Sequence, residues 1–191
     1  MPKLYIISGC NGAGKTTASY TILPEMLNCR EFVNADEIAR GLSPFNPESV
    51  AIEAGRLMLL RIKELIAGNI NFAFETTLAT RSYTGFISEA KKRGYQVMLL
   101  FFWLNTPELA VDRVRMRAAS GGHFVDEKIV RRRYAAGIKN LFGLYMDKCD
   151  YWLLIDNSKT PFEVIAEGEK NKTKRIMSPS LYKILENYER S

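Results

Sequence analysis

The sequence carries one histidine, three cysteines and no apolar run approaching the roughly 20 residues that a membrane-crossing helix needs. A metal centre built on several imidazoles is excluded, because His123 stands alone. Cys10, Cys29 and Cys149 are odd in number and share no metal-ligand spacing. They speak against a disulfide framework and for a reducing compartment. The apolar run at residues 4–7 is too short for the core of a secretion signal and is needed for a first strand, so a cytoplasmic protein with no membrane partner is expected. No internal repeat, long linker or low-complexity segment is present, which sets aside solenoids and disordered tails.

What remains is ordinary globular composition, 47% hydrophobic and 25% charged over 191 residues, enough for one domain with a substantial core. The net charge of +6 raises the question of nucleic acid. Because a nucleotide site consumes basic residues and the arginines cluster between 113 and 133, the surplus reads as phosphate handling instead.

The strongest local signal is Gly9-Cys10-Asn11-Gly12-Ala13-Gly14-Lys15-Thr16, which satisfies G-x-x-x-x-G-K-[ST] at every fixed position. A β-prone run precedes it and a helix-compatible run follows, the context this motif requires. Glycines let the backbone fold back so that successive N–H groups, from Gly9 through Asn11, Gly12, Ala13 and Gly14 to Thr17, converge on a phosphate chain. The helix N-terminus behind them adds positive partial charge. Lys15 would reach the β- and γ-phosphates, and the Thr16 hydroxyl would take one Mg²⁺ position. The sequence therefore predicts a nucleoside triphosphate site. Cys10 fills a free position of the loop, either as a neutral filler or as a redox-sensitive thiol.

Further on, residues 31–34 read as a second strand ending in Asn34-Ala35-Asp36-Glu37, and residues 41–47 as a loop. A long helix is expected over 47–67, with Val50, Ala54, Leu57, Met58, Arg61 and Leu65 on its inward face. A third strand ends at Glu75-Thr76-Thr77, and a helix over 81–93 stops at Gly94. Residues 95–104 form a strand apolar on both faces, after which Thr106 and Pro107 open another helix. A Gly-Gly-His break at 121–123 separates it from a basic helix through Arg131, Arg132 and Arg133. Residues 151–156 form a fifth strand, and Asp156 starts a turn. Residues 162–168 suit either a strand or a helix, 170–175 a basic loop, and Pro179 the start of an amphipathic helix. Strands alternating with helices predict an α/β fold of the P-loop NTPase type, with five parallel strands and helices on both faces. It is expected to be one nucleoside-kinase-like domain over 1–191, with a small arginine-bearing lid at about 113–134 and a C-terminal extension over about 160–191.

Three features narrow the chemistry. Strand four ends without an acid, which speaks against motor and transport ATPases. No Asn-Lys-x-Asp motif is present, which speaks against a GTPase. Acids stand instead at the ends of strands two and three, and a Gly-rich break flanked by arginines comes late, as in kinases of small molecules.

Taken together, Gly9–Thr16, Asn34–Glu37, Glu75-Thr76-Thr77, Gly121–Val125 and Arg131–Tyr134 resemble the zeta-toxin-like P-loop kinases, in their short branch. The resemblance spans residues 2–157 and implies ATP-dependent phosphorylation of a small-molecule hydroxyl with Mg²⁺. The founding toxins modify UDP-N-acetylglucosamine. Other acceptors remain open: a nucleoside, a chloramphenicol-like antibiotic or a polynucleotide end. So does an ATP-binding regulatory module, and an antitoxin is a partner that the resemblance allows. It implies Asp36 as the base, where a helix N-cap is the competing role. Glu75 would help to place Mg²⁺, while Thr77 and Glu53 would contact the acceptor. Glu53 also stands three residues before Arg56, the spacing of a surface ion pair. Where the toxins carry an arginine two positions after that threonine, this chain has Ala79, and the nearest arginine is Arg81.

The lid candidates are Arg113 and Arg117, four apart and on one helix face, while Arg115 points elsewhere. Of Arg131, Arg132 and Arg133, at most two can face the site; Arg132 is taken as a nucleotide contact. His123 is placed either against the nucleotide or as a plain loop residue.

Overall fold

The computed structural model describes residues 1–122, 124–170 and 172–190, residues 189 and 190 by backbone alone. β1 (Lys3–Gly9) lies between β3 (Phe72–Thr76) and β4 (Gln96–Trp103), parallel to both, with Ile6 opposite Phe74 on one side and Leu99 on the other. Residues 4–7 are each at most 1% exposed. Because successive side chains point to opposite faces, both faces of the sheet are covered. β2 (Glu31–Val33) flanks β3, and β5 (Tyr151–Asp156) flanks β4, again in parallel.

The sheet does not stop at five strands. β6 (Glu163–Glu169) and β7 (Lys172–Ile176) continue it antiparallel beyond β5, giving seven strands in the order β2-β3-β1-β4-β5-β6-β7. The physical reason is visible at the last position. β7 is exposed throughout, so nothing selects apolar residues there and its Lys-Thr-Lys-Arg-Ile carries the composition of a loop. β6 is held by Trp152, whose ring packs where a side chain on Gly168 would sit and whose indole N–H donates to the Lys170 carbonyl at 2.7 Å.

Among the described residues seven α-helices connect or cap these strands: α1 (Lys15–Thr21), α2 (Ala35–Leu42), α3 (Ala51–Ala67), α4 (Tyr83–Lys92), α5 (Pro107–Ala119), α6 (Glu127–Asn140) and α7 (Pro179–Arg190). α2 takes Gly41 and Leu42 out of the expected loop. α3 is entered through a 3₁₀ turn at Pro47–Val50 and buries Ala54, Met58, Ile62, Leu65 and Ile66. Arg61 is not on that stripe; it pairs with Glu31 at 2.9 Å and Glu64 at 3.2 Å, and Leu57 is 39% exposed. The Thr106 hydroxyl caps α5 by accepting from the Leu109 N–H. α7 packs on α6: Leu185 is fully buried, and Tyr188 meets Tyr134 edge-on with ring centres 5.7 Å apart. No helix among the described residues is long and apolar enough to cross a membrane.

Candidate active site

The phosphate loop follows β1 directly, and its glycines are structurally required. Gly9 has φ +137, and a β-carbon there would fall 2.0 Å from the Phe102 carbonyl oxygen. Gly14, with φ +79, hands the chain to α1 beneath the Asn157 amide, which donates to the Ala13 carbonyl at 2.9 Å. Arg113 holds the end of β5 from the other side, donating to the carbonyls of Asn157 at 2.8 Å and Ser158 at 3.0 Å. Asp156 makes the turn expected of it, accepting from the Ser158 N–H and hydroxyl. Cys10 is buried, and desolvation pushes its thiol up to about 11, so at neutral pH it is a protonated filler.

Around the loop a small polar network centres on Glu75, at the end of β3. Its Oε2 accepts from the Thr16 hydroxyl at 2.7 Å and from the Asn34 amide at 2.9 Å, while Oε1 lies 3.4 Å from the Lys15 ammonium. Lys15 also donates to the Cys10 carbonyl at 2.9 Å. One hydroxyl and one carboxylate side by side fit Mg²⁺, which takes few protein ligands and keeps phosphate oxygens and water for the rest. Among the described residues no group of three or more His, Cys, Asp and Glu side chains could hold a metal by itself.

Two cavities adjoin this network. The smaller, about 290 Å³, runs over the phosphate loop past Thr17, Arg113 and Arg117 and is closed by Glu37 and Arg40 of α2. The larger, about 530 Å³, is walled by Met58, Thr77, Thr80, Tyr83, Arg132 and Arg133. They share Asn11, Lys15, Asp36 and Glu75. Asp36 therefore stands where the two meet. It is not the helix cap: that position belongs to Asn34, whose Oδ1 accepts from the N–H groups of Asp36 and Glu37, leaving the Asp36 carboxylate to face the cavities.

The larger cavity has one rigid wall and one charged one. Tyr83 is stacked on Phe74 with ring centres 4.9 Å apart. The segment 77–80 is pinned from α6 and the turn beyond it, by Asn140 donating to the Leu78 carbonyl and the Tyr145 hydroxyl to that of Thr80. On the charged wall, Arg133 donates to the Asn11 side chain at 3.4 Å. Burial pulls its guanidinium down from the usual value; Asp36 opposes that and Arg132 adds to it. Arg131 turns away to Glu108 at 2.6 Å and Glu127 at 2.9 Å, and Arg115 pairs with Asp112 and Glu127, so neither lines either of these two cavities.

Two expected acceptor contacts do not reach this place. Glu53 is exposed on α3, five residues and therefore about 140° around the helix from Met58, the residue that α3 turns into the cavity. Nor does it pair with Arg56. Arg81 is exposed in the turn before α4, while Thr80 and Tyr83 on either side of it line the cavity. His123 lies outside the described residues. Conversely, Asn34 and Asn157 were not singled out as site residues in the sequence. The preference of asparagine for helix caps offered a signal for the first; none marked the second.

The sequence pattern of the zeta toxin family matches residues 1–144. An uncharacterized protein of Haemophilus influenzae is 33% identical over 132 residues, covering 69% of this chain and 92% of that protein. A solved structure from the PezAT chromosomal toxin–antitoxin system of Streptococcus pneumoniae aligns with all of this chain and 85% of its own, at 17% identity and a TM-score of 0.67. A chain of the AvrRxo1-ORF1:-ORF2 assembly with ATP aligns over 97% of this chain and 63% of its own, at 16% identity and a TM-score of 0.72. At such identities the structural likeness speaks for the fold.

Proposed function

The chain belongs to the zeta toxin family of ATP-dependent P-loop kinases, and from that premise we propose that it transfers the γ-phosphoryl group of ATP to a hydroxyl of a small anionic molecule, of which a nucleotide sugar is one example. The observation that carries this reading is the meeting of two cavities at Asn11, Lys15, Asp36 and Glu75. A nucleotide switch needs a phosphate groove; a second, larger cavity opening onto the same lysine and a free carboxylate is what an acceptor needs.

In this reading the triphosphate lies over the phosphate loop, with Lys15 and Arg117 on its oxygens and Arg113 fixing the loop edge. Thr16, and Glu75 through water, would hold Mg²⁺, which when bound supplies neutralising charge to the β- and γ-phosphates. The acceptor hydroxyl gives its proton to Asp36 as its oxygen bonds to the γ-phosphorus. The bond from that phosphorus to the bridging oxygen breaks, and ADP leaves. Arg132 and Arg133 on the charged wall favour an acceptor that carries negative charge of its own. Ala79, standing where the founding toxins have an arginine, counts against UDP-N-acetylglucosamine itself. The lid is assigned to α5 and α6, from which Arg113 and Arg117 reach the smaller cavity and Arg132 and Arg133 the larger. The toxin–antitoxin setting of the pneumococcal neighbour supports a protein partner for this chain too.

ADP release from ATP and Mg²⁺ across nucleotide sugars, nucleosides, chloramphenicol and 5′-hydroxyl oligonucleotides tests the reading, with Lys15→Ala and Asp36→Asn alongside. One acceptor should accelerate ADP formation, and Asp36→Asn should still bind ATP but lose at least about 100-fold in that rate. A slow release that no acceptor changes and only Lys15→Ala abolishes would make the protein a nucleotide-gated module.

A further inference from the structure

We propose that Asn34 is a positioning residue that ties the candidate base to the candidate metal-binding acid; this rests on the kinase reading above. The residue is 5% exposed, and its side chain is hydrogen-bonded at both ends. The Oδ1 accepts from the Asp36 N–H at 2.8 Å and the Glu37 N–H at 3.4 Å, fixing the first turn of α2 and with it the place from which Asp36 projects. The Nδ2 donates to Glu75 Oε2 at 2.9 Å, the oxygen that also takes the Thr16 hydroxyl.

No other small side chain does both. A serine or aspartate caps a helix as well as asparagine does, but aspartate has no proton to give Glu75, and the single serine hydroxyl is too short to span from the cap to β3. A plain capping role would not require the amide. The amide fits because one planar group accepts from α2 and donates to β3 at once. The consequence is that Asp36 and Glu75, on different elements 39 residues apart in sequence, share one rigid reference. A carboxylate held by an outer hydrogen bond presents a fixed oxygen to a metal or to the metal's water, and losing such a supporting bond typically weakens metal binding by about 10- to 100-fold.

The test uses the full chain and ATP itself as the probe, titrated calorimetrically in excess Mg²⁺ and in EDTA. Asn34→Ser keeps the cap and removes the donor to Glu75. Its melting temperature should fall less than that of Asn34→Ala and its ATP affinity in EDTA should stay close to the parent's, while the gain in affinity that Mg²⁺ confers should fall by about 10-fold. Asn34→Ala should lose melting temperature as well. In a Glu75→Gln background the serine substitution should change the Mg²⁺-dependent gain no further. Asn34→Ser retaining the full gain would leave Asn34 a helix cap and nothing more, as would equal and independent losses in the two backgrounds. If Asn34→Ser does not fold, Asn34→Thr carries the same comparison. Should Glu75→Gln itself leave the gain intact, the assignment of Glu75 falls, a result distinct from failure at Asn34 alone.

Discussion

Replacing Gly137 with alanine should destabilise the protein, although the same change in an exposed helix stabilises. Gly137 lies inside α6, where alanine is normally favoured by about 1 kcal/mol. Here a β-carbon would stand 2.6 Å from the Thr77 carbonyl oxygen, against an ordinary contact of 3.4 Å or more, so two backbones must part by about 0.8 Å. Neither can yield freely. Thr77 ends the β3 exit, and the Leu78 carbonyl beside it is bonded to Asn140 of the same helix. Overpacking of this kind costs about 1–3 kcal/mol, and with rigid groups on both sides the upper part of that range applies. Set against the helix gain, the net loss is about 1–2 kcal/mol, or roughly 3–6 °C in melting temperature for a chain of this size. Gly55, inside α3 with open space around it, is the control: Gly55→Ala should raise the midpoint by about 2–4 °C. Thermal and urea unfolding followed by circular dichroism measure both. If Gly137→Ala stabilises as Gly55→Ala does, the close approach of α6 to the cavity rim is wrong, and the position of Arg133 goes with it.

Buried thiols make the fold sensitive to alkali. Cys10 and Cys149 are raised from 9.0 to about 11 and about 12, so the unfolded chain releases these protons first. Their stabilising contribution is whole below pH 9 and is lost as pH climbs toward 11–12; melting temperature should fall across that window, less steeply in Cys149→Ala, and a flat profile would refute the burial argument. The arginine triplet should divide sharply. Arg131→Ala, whose partners lie outside the cavity, should leave ADP formation unchanged, whereas Arg133→Ala should lower it on the order of 100-fold; equal losses would contradict the facing described above.

The parallel core was legible because it is written locally. Residues 4–7 and 97–103 are apolar at consecutive positions, and their short length and β-branched and aromatic content suit a strand covered on both faces. Of the two antiparallel strands, β6 was one of two readings open for residues 162–168, and β7 was hidden for the opposite reason: it has one neighbour and no buried side chain, so its identity comes from pairing with β6 and not from its own residues. α2 was hidden because the strand-end reading claimed its start and glycine and proline its end.

In the site, the phosphate loop was readable for the same local reason, while everything that depends on rotation about a helix was not. Consecutive arginines differ by about 100° around α6, so the sequence limits the inward-facing number to two without saying which two. The contacts decide it: Glu108 and Glu127 draw Arg131 outward, and Asn11 meets Arg133 at the cavity. The capping role considered for Asp36 is decided by contacts too. One carboxylate has no geometry with which to cap α2 from inside its first turn and also face a hydroxyl acceptor. Two residues earlier, Asn34 takes the capping bonds. What leaves the Asp36 carboxylate uncommitted to the cap is therefore a neighbour's amide, and the role proposed for the aspartate depends as much on Asn34 as on Asp36 itself.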